Sequence, residues 1–261
     1  MRFGCLWLLG LLWLPSAVHA DPALDALVKA YPGQLASTTD SELIWKDGTH
    51  MPLGEPHPGA PLAQLLDNAD IRDQFAIPYK LASAPLQPPD KDEDSGRIRN
   101  EAFFLKMYGD CRKGEVVPRM RQLAWLPQHG GGTVRATTIN GVADQLEQVS
   151  RELDKLPDAM IAYLVPNSGI YNCRPVAETS RLSVHAFGAA TDINAKFGDY
   201  WLWAKRPDGS VVWRNRIPKE IVEIFERHGF IWGGRWYHFD TLHFEYRPEL
   251  IALAKQGWPR N

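Results

Sequence analysis

Val142, Leu146, Val149, Leu153 and Leu156 recur at intervals of three and four, which predicts an amphipathic helix over Gly141 to Leu156. An apolar face of that length obliges the rest of the chain to cover it. A second helix is predicted from Pro218, suited to a first helical position, through Ile221, Ile224 and Phe225 to Gly229 as the residue that ends it. A short helical pattern runs from Ala23 to Ala30, and Asp47-Gly48 reads as a turn. Ala159 to Val165 is an apolar run of strand length closed by Pro166-Asn-Ser-Gly169, and short strands are expected at Thr133 to Thr138, Ala190 to Asn194, Ser210 to Trp213 and His243 to Tyr246. Helices and strands do not alternate strictly, so the expected class is α+β and not a doubly wound sheet. No internal repeat is present.

The chain has 261 residues, 44% hydrophobic and 23% charged, enough for one sizeable core and an accessory region. Met1-Arg2, an apolar stretch from Cys5 to Leu14, Pro15 and the small-residue ending Ala17-Val18-His19-Ala20 form a secretory signal pattern, with cleavage expected after Ala20. The apolar run falls short of the ~20 residues that cross a bilayer. Cys5 stands at the start of that run, where a lipid-attachment cysteine should follow it. No later segment is long and apolar enough to span, so the mature chain is expected outside the cytoplasm, periplasmic or extracellular. Residues 21–83 read as an N-terminal extension, the polar, proline-rich residues 84–96 as a linker or surface loop, and 97–261 as the main domain.

Loss of Arg2 with the leader leaves 28 basic residues, of the 29 in the full chain, against 31 acidic ones. Without a Lys/Arg cluster to make a basic face, nucleic acid is not expected as a partner. Export also leaves two cysteines, Cys111 and Cys173, where disulfides persist. They form either a bridge, favoured by the even count, or two free buried thiols.

The chemistry concentrates in two segments. In Ser183-Val-His185-Ala-Phe-Gly188-Ala-Ala190-Thr-Asp192, His185 and Asp192 lie seven apart. That is about 10 Å on a helix and about 23 Å on a strand, too far to share one ion unless Gly188 turns the chain between them. In His238-Phe-Asp240-Thr-Leu-His243, an Asp three residues before a His lies beside it if the segment makes one turn. A lone histidine is more often a core or surface side chain. Two histidines and an aspartate together supply three ligands, the number that leaves catalytic zinc an open position.

Those two motifs, Ser-x-His-x-x-Gly-x-Ala-x-Asp and His-x-Asp-x-x-His, resemble the zinc D-alanyl-D-alanine carboxypeptidases and the related L-alanyl-D-glutamate endopeptidases, whose fold is similar to the Hedgehog signalling domain. The resemblance covers roughly residues 97–250. It implies a Hedgehog-like zinc domain with a central, mainly antiparallel sheet flanked by helices. It further implies His185, Asp192 and His243 as zinc ligands, Asp240 as the base for water, His238 as an accessory histidine for the developing oxyanion, and Arg174 as the arginine at the substrate carbonyl. The implied substrates are peptidoglycan stem peptides, cut at D-Ala-D-Ala or at L-Ala-D-Glu. Ser183 reads either as a group orienting the His185 loop or as a turn hydroxyl.

Other residues have plainer readings. His228, at the end of the second helix, suits the helix dipole better than a metal. Trp201, Trp203, Trp213, Trp232 and Trp236 either line a groove or fill the core, and Tyr108-Gly109 is a candidate border of the site. No Ser-x-x-Lys and no His-Glu-x-x-His occurs, which removes the serine penicillin-binding enzymes and that class of zinc protease. Cys173-Arg174 lacks the Ser-His-Gly-Cys context of cysteine L,D-transpeptidases. The reading from outside enzymology is a silent zinc-containing module that binds cell-wall peptide, against which stand Asp240 and His238, since neither is needed to hold an ion. Oligomeric state is not legible in the sequence.

Overall fold

The computed structural model describes residues 21–177 and 179–258. The signal-peptide expectation for residues 1–20 lies outside these. The described helices are α1 (Pro22–Ala30), α2 (Leu62–Asn68), α3 (Glu101–Tyr108), α4 (Val142–Leu153), α5 (Asp158–Ile161), α6 (Lys219–Arg227) and α7 (Pro248–Lys255). The strands are β1 (Leu35–Thr38), β2 (Glu42–Trp45), β3 (His50–Pro52), β4 (Met120–Ala124), β5 (Thr133–Thr137), β6 (Ala190–Asp192), β7 (Phe230–Trp232) and β8 (His243–Tyr246). The class is α+β, as expected. Antiparallel pairing is spread over three small sheets, β1-β2-β3, β4-β5 and β6-β8-β7, and the last of these carries the site.

The two long amphipathic patterns fold as read. Val142, Leu146, Val149 and Leu153 of α4 are buried, as are Ile221, Val222, Ile224 and Phe225 of α6. Phe225 stacks on Phe244 of β8 at 3.8 Å between ring centroids, so α6 fixes the back of the site sheet. Gly141 at φ 71° and Gly229 at φ 85° hold the left-handed turns that bound these helices.

Two expected strands do not form. Ala159 to Val165 begins as the short α5 after Pro157 and continues in turns. The Asn194 amide takes the carbonyls of Ala162 and Val165 at 2.8 and 2.7 Å, so a side chain satisfies backbone that a ladder would otherwise use. Ser210 to Trp213 contributes one bridge, Lys205 to Val211, while the Trp213 indole donates to the Gly234 carbonyl.

Residues 21–83 share the core of the rest. Ala23, Leu24, Leu27, Tyr31, Leu43, Trp45 and Tyr79 belong to the same apolar cluster as α4, α6 and β8. Tyr31 donates to Glu249 of α7 at 2.6 Å, and Tyr79 donates to Glu226 of α6 at 2.7 Å. The stretch 84–96 is exposed at first but ends as core: Asp94, Ser95 and Gly96 are buried. The Arg235 guanidinium donates to the carbonyls of Leu81, Ala84 and Pro85, and the Trp236 indole donates to the Ser95 carbonyl, so this loop is clamped to the segment before β8. Its polar second half therefore ends inside the protein. Cys111 and Cys173 are joined as a disulfide, tying the turn after α3 to the segment that leads into the first motif.

Candidate metal centre and cleft

β6 and β8 pair antiparallel with Asp192 directly opposite His243, which brings two distant segments into contact on one face of the sheet. His185 reaches the same point from a 3-10 turn, Val184–Phe187, whose last residue is followed by Gly188 at φ 66°. The turn is pinned on both sides. The Gly188 carbonyl accepts from Thr137 of β5 at 3.0 Å, and the Ser183 hydroxyl caps the turn by accepting from the His185 amide at 3.4 Å. Ser183 thus shapes the loop that carries His185.

The donor atoms converge. His185 Nε2 lies 3.1 Å from His243 Nδ1 and 3.2 Å from Asp192 Oδ1, and His243 Nδ1 lies 3.1 Å from the same oxygen. Their partners decide the tautomers. His185 Nδ1 faces the Ile170 carbonyl at 2.8 Å, which only accepts, so the proton sits on Nδ1 and Nε2 presents a lone pair. His243 Nε2 faces the Glu245 carboxylate at 3.3 Å, so its proton sits there and Nδ1 presents a lone pair. Two nitrogen lone pairs and a carboxylate oxygen therefore meet at one point, an arrangement that needs a proton or a cation between them. This donor set fits a divalent metal ion.

Glu245 was not singled out from the sequence. On a strand, residues two apart share a face, so Glu245 follows His243 into the site, and Ala190 opposite it leaves room. Glu245 is buried between Arg99 at 3.7 Å and Arg247 at 3.6 Å. Although burial opposes ionisation, the His243 hydrogen bond and the two arginines hold its carboxyl down at about 2. His243 is buried too, which disfavours its charge, but its contacts with Asp192 and Glu245 outweigh that and raise it to about 10 in the metal-free chain.

Asp240, Thr241, Leu242 and His243 make the expected turn, closed by the His243 amide on the Asp240 carbonyl at 3.2 Å. Asp240 Oδ1 is buried with no hydrogen-bond partner among the described residues. Burial, with Asp192 adding like charge against the pull of His243, raises the Asp240 carboxyl to about 6. His238 lies nearby, its ring edge-on to Trp201 at 4.6 Å and its Nδ1 2.5 Å from Asp94.

These groups line one cleft of about 380 Å³ with Arg174, Ser183 and Trp203. Arg174 is exposed on its wall, its guanidinium donating to the Pro175 carbonyl. Arg97, Arg99 and Arg181 line it as well. Burial lowers Arg99 to about 10, with Arg247, Arg181 and Arg97 adding repulsion against the pull of Glu245. The tryptophans divide: Trp232 is core, Trp236 is buried at the cleft wall, Trp201 and Trp213 are half-buried, and Trp203 is 70% exposed at the cleft. Tyr108 does not border the cleft; it is buried against Phe104 and Phe187. His228 lies at the end of α6, with Nε2 2.7 Å from Glu152. A further donor cluster, His57, Asp70 and Asp73, is already satisfied internally, since the Asp73 carboxylate takes the His57 and Asp70 amides and the His57 ring.

Residues 177–246 match the family model described as D-alanyl-D-alanine carboxypeptidase. The match covers the stretch that carries the converging donors and makes that stretch similar to this peptidase family. The matched stretch holds His185, Asp192, His238, Asp240, His243 and Glu245, and it excludes Arg174. Comparison with curated proteins and comparison with solved structures gave no match. Among the described residues no helix is long and apolar enough to cross a membrane.

Proposed function

We propose that the protein is an exported zinc peptidase that trims the peptidoglycan stem peptide as a D-Ala-D-Ala carboxypeptidase. The observation that carries the reading is the buried, unpartnered Oδ1 of Asp240 beside three converging ligand atoms, an arrangement unnecessary for holding an ion alone. His185, Asp192 and His243 would hold the zinc, which polarises a carbonyl and acidifies water. Asp240, raised to about 6, is poised to take a proton near neutral pH and pass it to the departing amine. His238, on the wall of the same cleft, would donate to the oxygen of the attacked carbonyl. Arg174, exposed on the cleft wall, and the neighbouring Arg97 and Arg181 favour a peptide that ends in a free carboxylate, which supports the carboxypeptidase reading. The disulfide supports export, since such bonds persist in oxidising compartments.

Mass spectrometry of purified muropeptides incubated with zinc-loaded protein tests this, with Asp240→Ala and a chelated sample as controls. Loss of one alanine is expected. Release of the peptide beyond its first L-alanine would instead make the protein an endopeptidase. Intact muropeptides throughout, with zinc bound, would overturn the peptidase reading in favour of a binding module.

A further inference from the structure

Asp94 is the most buried acid of the polar stretch 84–96, and its carboxylate is devoted to one residue. Oδ1 accepts the His238 backbone amide at 2.9 Å, and Oδ2 lies 2.5 Å from His238 Nδ1. Its side chain is 0% exposed. The surroundings reinforce this grip. Tyr237 donates its amide to the Glu93 carbonyl at 2.9 Å, and Arg97 donates to the His238 carbonyl at 3.3 Å while lying 3.8 Å from Asp94. The ring packs edge-on against Trp201, and its Nε2 has no partner among the described residues.

We infer that Asp94 is the positioning residue of His238: it fixes the ring's direction and tautomer so that Nε2 alone serves the cleft. The inference rests on the peptidase reading for its catalytic consequence, but not for its structural content. An ionised carboxylate at Nδ1 only accepts, so the Nδ1 proton stays on the ring. Protonation of Nε2 then makes an imidazolium whose counter-charge is already in place, and Nε2–H can donate to the oxygen that gains negative charge. Without Asp94 the ring is free to turn and to carry its single proton on either nitrogen. The charged groups facing His238 are Asp94 and Arg97 from the loop, Asp240 two residues on, and Lys205 across Trp201.

Two measurements test this. In the zinc-loaded wild type, ¹⁵N NMR of the His238 ring should show Nδ1 protonated; a neutral ring protonated only on Nε2 would overturn the assignment whether or not the protein cleaves muropeptides. The second measurement uses Asp94→Asn, which keeps the size and one acceptor. It should lower kcat roughly 10- to 100-fold with KM little changed. The same substitution in a His238→Ala background should cost nothing further, because Asp94 then has no ring to direct. An undiminished kcat in Asp94→Asn, or an equal loss in the His238→Ala background, would show that Asp94 only secures the loop. If wild type is inactive while the ring is protonated as stated, the peptidase reading fails and the positioning assignment stands.

Discussion

At the residue scale, the site keeps charge where the fold would prefer none. Folding raises the Asp240 carboxyl to about 6 from its ordinary 3.8. A raised folded value means that the folded chain binds the proton more tightly, so stability is greatest at low pH and declines as pH climbs through about 6. Above that, the ionised form costs roughly 3 kcal/mol at most, at 1.36 kcal/mol for each unit. Asp240→Asn should therefore make the metal-free protein more stable at pH 7.5 by roughly 1–3 kcal/mol, with little change at pH 4, while abolishing cleavage; urea unfolding at the two pH values measures it. His243 likewise binds its proton more tightly when folded, but there the protonated form carries the charge. Raised from 6.5 to about 10, it is protonated at neutral pH in the metal-free chain, and its contribution to stability is full below 6.5 and is lost as pH rises towards about 10. A cation must displace that proton from between Nδ1 and Asp192. Zinc binding at pH 7 should accordingly release about one proton per ion, seen as calorimetric heats that change with the ionisation enthalpy of the buffer. Equal heats in both buffers would contradict the protonation of His243.

At the element scale, Gly188 is the joint on which the first motif depends. Its φ of 66° ends the turn that presents His185, and a Cβ there would meet the Thr137 amide nitrogen and Met120 Cε at 3.2 Å. Gly188→Ala should cost about 1–2 kcal/mol in stability and weaken zinc binding beyond that loss, because turn and β6 would shift together; unfolding and metal titration of the same variant separate the two effects. This joint was legible in the sequence because a seven-residue gap between ligands leaves no other way to close. The same holds for the turn from Asp240 to His243 and for α4 and α6, where local spacing decides the outcome. Asp94 was not legible, because nothing in an acidic, proline-rich run distinguishes the one carboxylate that the fold turns inward to meet a histidine 144 residues away. Ala159 to Val165 failed as a strand for a similar reason: its Ala162 and Val165 carbonyls are claimed by Asn194 and its Leu164 carbonyl by Trp125, and no periodicity records a distant side chain. Glu245 was readable in principle from strand alternation after His243, once β8 is taken as a strand.

At the scale of the whole molecule, the N-terminal residues are part of the site's support. Tyr31 at the end of α1 donates to Glu249, Glu249 accepts from Arg247 at 2.5 Å, Arg247 lies 3.6 Å from Glu245, and Glu245 accepts from His243. Every member of this relay is buried. Burial together with Glu249 pushes the Tyr31 hydroxyl well above its ordinary value, so it remains a donor across the physiological range. Tyr31→Phe keeps the ring packed on Phe103 and removes only the donor, leaving one oxygen of a buried carboxylate without its bond. A hydrogen bond to a charged group contributes about 1.5–3 kcal/mol, so unfolding should show a loss of that size. Zinc affinity should fall by a few-fold at most, because Arg247 still holds Glu249 and the Glu245 contact with His243 is three partners removed. A loss below about 0.5 kcal/mol would mean that α1 is attached by apolar packing alone, and an affinity loss beyond tenfold would mean that the relay sets the His243 geometry and not merely its support.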